Sequence, residues 1–110
     1  MTAAFDDFMK LDIRVGEITA CAPLVGAKKS AYQLQIDFGE EIGIKNSSAQ
    51  ITELYEPEQL IGRQILAVVN FPPKRIAGFV SQVLVLGVYA KDGVVLIGPS
   101  QTVQKGDRLG

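Results

Sequence analysis

Short stretches of alternating hydrophobic and polar residues run along most of the chain, and this pattern predicts β-strands rather than long helices. Leu11, Ile13 and Val15 alternate with charged residues, and after Gly16 the alternation resumes one residue out of phase. A glycine at a phase break is typical of a β-bulge, which bends a strand sharply. We therefore expect the first strand to bend at Gly16, as the first strand of a small barrel does.

The middle of the chain predicts a hairpin and two short helices. Residues 34–38 alternate cleanly, and a glycine-containing turn leads into the stretch 42–45, so these two stretches are expected to pair. Ser47-Ser48 is expected to cap one short helix. Residues 57–62 begin with proline and end with glycine, which is typical of a second, single-turn helix.

The second half of the chain predicts two further strands joined by a stiff connector. Residues 65–69 are apolar throughout, which indicates a strand buried on both faces. Pro72 and Pro73 forbid helix and remove two backbone donors, so this connector is expected to be extended and to offer no strand edge. Another strand is expected over residues 81–89, and Asp92-Gly93 predicts a tight turn into the last strand.

Together these elements predict an all-β fold, a five-stranded OB-fold Greek-key barrel that forms one domain over residues 1–110. Short helices are expected at the N-terminus, over residues 6–11 with an acidic N-cap, and between strands 3 and 4. The N-terminal helix is too short to stand alone, and the second apolar face of the 81–89 strand also needs a cover. That cover is either the helix or another subunit. We expect a homodimer, with an interface formed by Phe8, Leu84, Leu86 and Val88.

Composition excludes several kinds of chemistry. The chain has no histidine and one cysteine, Cys21, which excludes Ser-His-Asp and Cys-His catalysis, a zinc site and an internal disulfide. Cys21 lies in an alternating strand and is expected to fill space there. We therefore expect neither an enzyme nor a cofactor. No run of 18 apolar residues is present, and the N-terminus carries acids where a signal peptide is basic, so a cytoplasmic protein is expected.

Charge is unevenly distributed, although the net charge is only −1. Residues 37–58 contain six acidic residues and one basic residue, Lys45, whereas residues 59–91 contain four basic residues and no acidic one. The basic segment includes Lys74 and Arg75, directly after the two prolines. These cations are candidates for phosphate contacts near a barrel face, and a solvated loop is the alternative for Lys74 and Arg75.

Several segments resemble the tRNA-binding domain family, and two of them resemble its CsaA subfamily more closely. The family resemblance lies in residues 11–18, 37–41 and 55–63, and the CsaA resemblance lies in residues 42–52 and 69–79. This resemblance implies an OB-fold homodimer that binds rather than catalyses. It implies a chaperone for unfolded or precursor polypeptides in protein export, with structure-selective tRNA binding as the alternative.

Some family motifs are altered here, which weakens the tRNA alternative more than it weakens the fold. Ala22-Pro23 stands where the family usually has His-Pro, and residues 27–32 lack the usual pattern before the second strand. Of the family's Ser-x-Gly-Met motif only the serine, Ser81, is kept.

Two overlapping sets of candidate ligand contacts follow. The peptide-binding candidates surround the prolines: Phe71, Pro72, Arg75, Ile76 and Phe79. The RNA-binding candidates are polar or basic: Arg14, Lys45, Lys74, Arg75 and Ser81. Packing in the core or the dimer is the alternative for the phenylalanines, an ion pair with Asp12 or Glu17 is the alternative for Arg14, and a cap or turn is the alternative for Ser81. Asn70 is expected to satisfy loop backbone groups.

Overall fold

The alternating stretches form nine β-strands and two short helices in a computed structural model that describes residues 1–110. In chain order the elements are α1 (Phe5–Met9), β1 (Ile13–Pro23), β2 (Tyr32–Asp37), β3 (Ile44–Ala49), α2 (Pro57–Leu60), β4 (Gln64–Val68), β5 (Lys74–Ile76), β6 (Phe79–Ser81), β7 (Leu84–Val85), β8 (Gly87–Ala90) and β9 (Gly93–Leu96). Five strands form one antiparallel sheet in the order β3-β2-β1-β4-β7. This sheet curls into the predicted OB-type barrel, and α2 lies between its third and fourth strands, as expected.

The first strand faces two hydrophobic clusters, which explains the break in its alternation. Ile13 and Val15 belong to a small cluster, whereas Ile18 belongs to the main core of the barrel. Gly16 lies on the barrel side, where a Cβ would come within 2.5 Å of Ile36 Cγ2. The predicted bulge at Gly16 is wrong, because the register with β2 shifts between Ile18 and Ala20. The break in alternation therefore marks the point where β1 passes from the small cluster to the main core. Glycine stands there because Ile36 packs directly against its backbone.

The predicted hairpin is confirmed, but the helix expected after it is absent. β2 and β3 pair from Asp37 with Ile44 to Tyr32 with Ala49. Ser47 and Ser48, expected to cap a helix, lie within β3 instead. The Ser47 side chain is fully buried, and its hydroxyl donates to the Val83 carbonyl at 3.0 Å. A serine that satisfies a buried carbonyl belongs in the strand, because an unpaired carbonyl there would be costly.

Contacts between β3 and residues 81–83 close the barrel, and these contacts form what we call the seam. The Gln82 N–H donates to the Asn46 carbonyl at 2.8 Å, and the Asn46 N–H donates to Gln82 Oε1 at 2.9 Å. The Ser48 N–H donates to Ser81 Oγ at 3.0 Å. Side chains thus replace part of a regular ladder, which leaves room for a groove above this seam.

The N-terminal helix differs from its prediction at its cap and in its packing. It begins at Phe5 with Ala4 as N-cap, and the Ala4 N–H donates to Asp7 Oδ2 at 3.0 Å, so the predicted acidic N-cap is wrong. None of its residues is buried, and Phe5 is 73% exposed. Its apolar face is therefore only partly covered by its own barrel, with Phe8 36% exposed. Neither helix in the structure has the length and apolar character needed to cross a bilayer.

The C-terminal segment extends the barrel along the first half of β1. The Gly106 N–H donates to the Val15 carbonyl at 2.7 Å, and the Val15 N–H donates to the Asp107 carbonyl at 2.9 Å. Lys105 forms an ion pair with Asp37 at 3.0 Å. A hydrogen bond from the Gly39 N–H, and then Lys105, hold the pKa of Asp37 below its ordinary value. The C-terminal segment is thus held to the barrel by backbone hydrogen bonds and by an ion pair.

The segment around the two prolines departs most from expectation. Residues 74–81 form a hairpin, β5–β6, with a two-residue turn at Ala77-Gly78, so the connector does offer a strand edge. The strand predicted over residues 81–89 is split into β7 and β8. The predicted tight turn at Asp92-Gly93 is confirmed as the turn between β8 and β9.

Candidate functional site

A groove of about 480 Å³ lies between the β5–β6 hairpin and the segment from β7 to β8. Seventeen residues line it, ten of them hydrophobic, and Lys74 is its one charged side chain. The hairpin side contributes Phe71, Pro72, Lys74 and Ile76; the floor and the β3 side contribute Ser48, Ala49, Gln50, Ile51, Ser81, Gln82 and Val83; the opposite side contributes Leu84, Val85, Leu86, Gly87, Tyr89 and Val94. Such an open, mainly apolar groove with one charged side chain suits an apolar ligand.

The register of the hairpin separates Lys74 from Arg75, which the sequence places side by side. Lys74 pairs with Ser81, Arg75 with Val80, and Ile76 with Phe79. Because side chains alternate along a strand, Lys74 and Ile76 share the groove face, whereas Arg75 lies on the opposite face with Val80. Arg75 Nη1 donates to the Gly78 carbonyl at 3.2 Å. Of the two cations, only Lys74 reaches the groove.

Asn70 anchors the chain that leads into this wall. Its Oδ1 accepts from the Asp12 N–H at 2.9 Å, and its Nδ2 donates to the Lys10 carbonyl at 2.8 Å. The expectation that Asn70 satisfies loop backbone groups is confirmed. Pro72 and Pro73 follow at once and fix two φ angles, so Phe71 is held at the rim of the groove with 42% of its surface exposed.

The opposite wall includes a residue that the sequence reasoning placed elsewhere. A single strand over residues 81–89 would place Tyr89 on the same face as Val83 and Val85, but Tyr89 lies on β8 and is 95% exposed. The break at Leu86 between β7 and β8 turns it outward. A bare tyrosine at the rim of an apolar groove is a contact residue for a ligand, because its ring offers a large apolar surface at low entropic cost. No pattern in the sequence signalled this break.

The floor of the groove is the seam that closes the barrel. Ser81 is buried there, and its hydroxyl accepts from the Ser48 N–H at 3.0 Å and donates to the Val83 carbonyl at 3.4 Å. Ser81 therefore has a structural role in the chain itself. Leu84, 48% exposed, and the half-buried Leu86 stand beside this floor.

The remaining predicted residues lie outside the groove. Arg14 forms an ion pair with Asp12 at 2.6 Å, one of the two partners expected for it, and Nη1 donates to the Gly106 carbonyl at 3.0 Å. The hydrogen bond to Asp12 raises the pKa of Arg14. The other predicted residues that do not line the groove are Lys45, Phe79, Phe8 and Val88.

A second, polar cleft of about 400 Å³ lies across the barrel and includes Arg63 and Gln64. Gln64 bonds to the backbone of Val103 through both ends of its amide, at 2.6 and 3.0 Å. The Arg63 guanidinium stacks over the Tyr55 ring at 5.1 Å. Two of the polar side chains of this cleft, Arg63 and Gln64, thus have partners within the chain.

Cys21 is held as an inactive thiol. Burial, with a smaller contribution from Glu58, raises its pKa to about 11, so little thiolate exists at neutral pH. Its half-buried side chain packs against the main core, as expected of a space-filling residue.

Comparisons with known proteins agree on one family. Residues 13–108 match the family model described as "Putative tRNA binding domain". A methionine–tRNA ligase of Methanococcoides burtonii is 41% identical over 103 residues, which cover 93% of this chain. The chain spans only 15% of the length of that ligase, so the resemblance concerns one domain of it.

Two solved structures match over the full length of the chain. The CsaA chaperone of Bacillus anthracis is 51% identical, with a TM-score of 0.93 and complete coverage of both chains. The CsaA chaperone of Picrophilus torridus is 50% identical, with a TM-score of 0.95, and the match covers 99% of this chain and 100% of that one. The chain therefore belongs to the tRNA-binding domain family and, within it, to the CsaA group.

Proposed function

We propose that the groove binds segments of unfolded or precursor polypeptides, and that the protein is a homodimeric cytoplasmic chaperone for protein export. The observation that carries this proposal is the lining of the groove, ten hydrophobic residues of seventeen with Lys74 as the one charge. Binding there releases apolar surface from water, and this release does not depend on a particular sequence. Both CsaA structures are named chaperones, which supports the polypeptide-binding part of the proposal.

The groove suits a polypeptide better than a phosphate backbone. Recognition of a nucleic-acid backbone needs several cations along one path. Of the cations predicted for RNA binding, only Lys74 lines the groove, and Arg14 is already paired with Asp12. Binding without catalysis is part of the proposal, and the match to a tRNA-binding domain and to two chaperones supports it.

Binding of tRNA is the second candidate function. The match of residues 13–108 to the family model favours it, and so does the acid-free basic segment over residues 59–91. In this alternative Lys45 and Lys74 contact phosphates and Phe71 stacks on a base. Phosphate contacts weaken steeply with salt, whereas apolar contacts do not, so only tRNA binding should depend strongly on salt.

The dimer is proposed from unpaired apolar surface. Phe8, next to Phe5 on α1, and Val88, which is 53% exposed, face solvent outside the groove. Leu84 and Leu86 of the predicted interface stand at the groove itself. A second subunit that covers these residues would border the groove and extend its apolar wall.

A matched pair of substitutions on the hairpin tests the groove. Ile76→Ser removes an apolar side chain from the groove face, and Val80→Ser removes one from the opposite face. We expect Ile76→Ser to weaken binding of reduced, carboxymethylated α-lactalbumin, a permanently unfolded polypeptide, roughly tenfold, and Val80→Ser to leave it unchanged. Fluorescence anisotropy at 50 and 300 mM salt measures both.

Four results would count against the proposal or a part of it. Absence of binding by the wild-type protein, or equal losses in the two variants, would contradict a polypeptide-binding groove. Tight tRNA binding with a steep salt slope, lost in Lys74→Ala, would favour the second candidate instead. Light scattering on the same samples at micromolar concentration checks the dimer, and a monomer would contradict that part.

A further inference from the structure

The free edge of β5 carries one unused pair of backbone hydrogen-bonding groups. The hairpin turns through Ala77 and Gly78, with φ of 50° and 81°, so Ile76 and Phe79 flank a two-residue turn and exchange both of their hydrogen bonds. In an antiparallel ladder the next pair, Arg75 and Val80, is then the non-hydrogen-bonded one. The N–H and C=O of Arg75 therefore point away from β6.

No strand of the chain pairs with this edge, because β5 and β6 form a separate two-stranded sheet. On the other side of the hairpin, Ser81 at the end of β6 and Gln82 directly after it bond to β3, so that side has a neighbouring strand in the chain itself. The Arg75 guanidinium is drawn toward the turn by its bond to the Gly78 carbonyl. The edge of β5 is thus open at Arg75 and bounded on one side by Pro72-Pro73, which have no N–H to offer.

The edge of β5 borders the groove, so a ligand that pairs with this edge also places side chains in the groove. A strand added beside β5 would point alternate side chains to the face that carries Lys74 and Ile76, and those two residues line the groove. We propose that the protein holds a polypeptide in extended form, by pairing its main chain with Arg75 while alternate apolar side chains enter the groove. This inference rests on the proposed function and adds the mode of binding.

Main-chain pairing explains how one site serves many sequences. Every polypeptide presents the same N–H and C=O groups, so the pairing is independent of sequence, and the groove selects only for apolar side chains at alternate positions. The edge is short, charged and flanked by prolines, which are the features that keep an edge strand from permanent association. The chain thus offers one pair of bonds to a ligand without offering a template for aggregation.

Two substitutions at one position separate the main chain from the side chain. Arg75→Pro removes the outward N–H and places a ring at the edge, yet it breaks no bond to β6 because Arg75 donates none there. Arg75→Ala removes only the guanidinium. We expect Arg75→Pro to weaken binding of the unfolded α-lactalbumin roughly tenfold, and Arg75→Ala to keep it within twofold. Equal binding by both variants would overturn the inference, and so would equal loss in both.

Amide hydrogen exchange on the wild-type protein gives a second readout that does not depend on a variant. The Arg75 amide is expected to exchange rapidly in the free protein and at least tenfold more slowly in the complex, while the Ile76 amide is protected in both. Rapid exchange at Arg75 in the complex would overturn the inference while leaving groove binding intact. Protection that appears without polypeptide and grows with protein concentration would assign the edge to a second copy instead. If the wild-type protein binds no polypeptide, the proposed function itself fails.

Discussion

Strand β4 and the β5–β6 hairpin follow each other in sequence, and they are held in opposite ways. β4 pairs with β1 on one side and with β7 on the other, and it is buried on both faces: Ile65 and Ala67 enter the main core, and Leu66 and Val68 the second cluster. The hairpin pairs only with itself, and Ser81 is its one buried residue. The barrel is therefore fixed by its interior, whereas the hairpin keeps a face and an edge available for a ligand.

The difference teaches where sequence change should be costly. In the barrel, a substitution that changes side-chain volume disturbs a closely packed interior. It should therefore lower the free energy of unfolding and leave polypeptide affinity unchanged. On the hairpin, the reverse should hold, because its outer groups contribute little to the core. Three substitutions test this division, in order of decreasing effect on the free energy of unfolding.

Gly16→Ala should show the largest effect on stability. The added Cβ would lie 2.5 Å from Ile36 Cγ2 and 2.7 Å from Phe38 Cε1, and both of those side chains are fully buried. Overpacking of this kind should lower the free energy of unfolding by about 2–3 kcal/mol. Urea denaturation measures the change, and polypeptide affinity, measured well below the midpoint, should stay unchanged. A cost under about 0.5 kcal/mol would show that the interior accommodates the methyl group easily, which would contradict the claim that the barrel is fixed by its packed interior.

Ser47→Ala tests the seam under the groove. Its hydroxyl donates to the buried Val83 carbonyl at 3.0 Å, the shorter of the two side-chain bonds that this carbonyl accepts, so its loss should cost about 1 kcal/mol. Ser48→Ala is the matched control, because Ser48 bonds across the seam through its backbone N–H, which the substitution keeps. Thermal denaturation compares the two variants. Equal costs would mean that the side-chain bond at Ser47 does not hold the seam.

The contrast between barrel and hairpin also explains which features the sequence could predict. The barrel strands were predictable because one face of each strand must be apolar, and β4 was recognised by having two such faces. Ser47 and Ser48 were read as a helix cap because serine is common there, and the buried carbonyl that Ser47 satisfies comes from a segment 36 residues away. Only the folded chain brings those two groups together.

The groove was only half predictable, for a different reason. The two prolines predicted a stiff connector, with Phe71, Lys74 and Ile76 among the candidate ligand contacts. The strands of the hairpin, however, are three residues long, too short for an alternating pattern to be recognised. Without their register the sequence cannot tell that Lys74 and Arg75 point to opposite faces. The outward turn of Tyr89 depends on the split between β7 and β8, which no residue type marked.

Ala77→Asn should show the smallest effect and bears most directly on the hairpin. Ala77 has a φ of 50°, in the left-handed region that disfavours alanine, and Gly78 follows it with a φ of 81°. Asn-Gly is the preferred pair for a two-residue turn of this hand, so the substitution should stabilise the hairpin by about 0.5–1 kcal/mol. If the hairpin opens independently of the barrel, exchange at the Ile76 and Phe79 amides should slow roughly two- to fivefold, while exchange at the β4 amides stays unchanged. Equal slowing at β4 would show that the hairpin and the barrel unfold as one unit. The hairpin side of the groove would then be held in place by the barrel core.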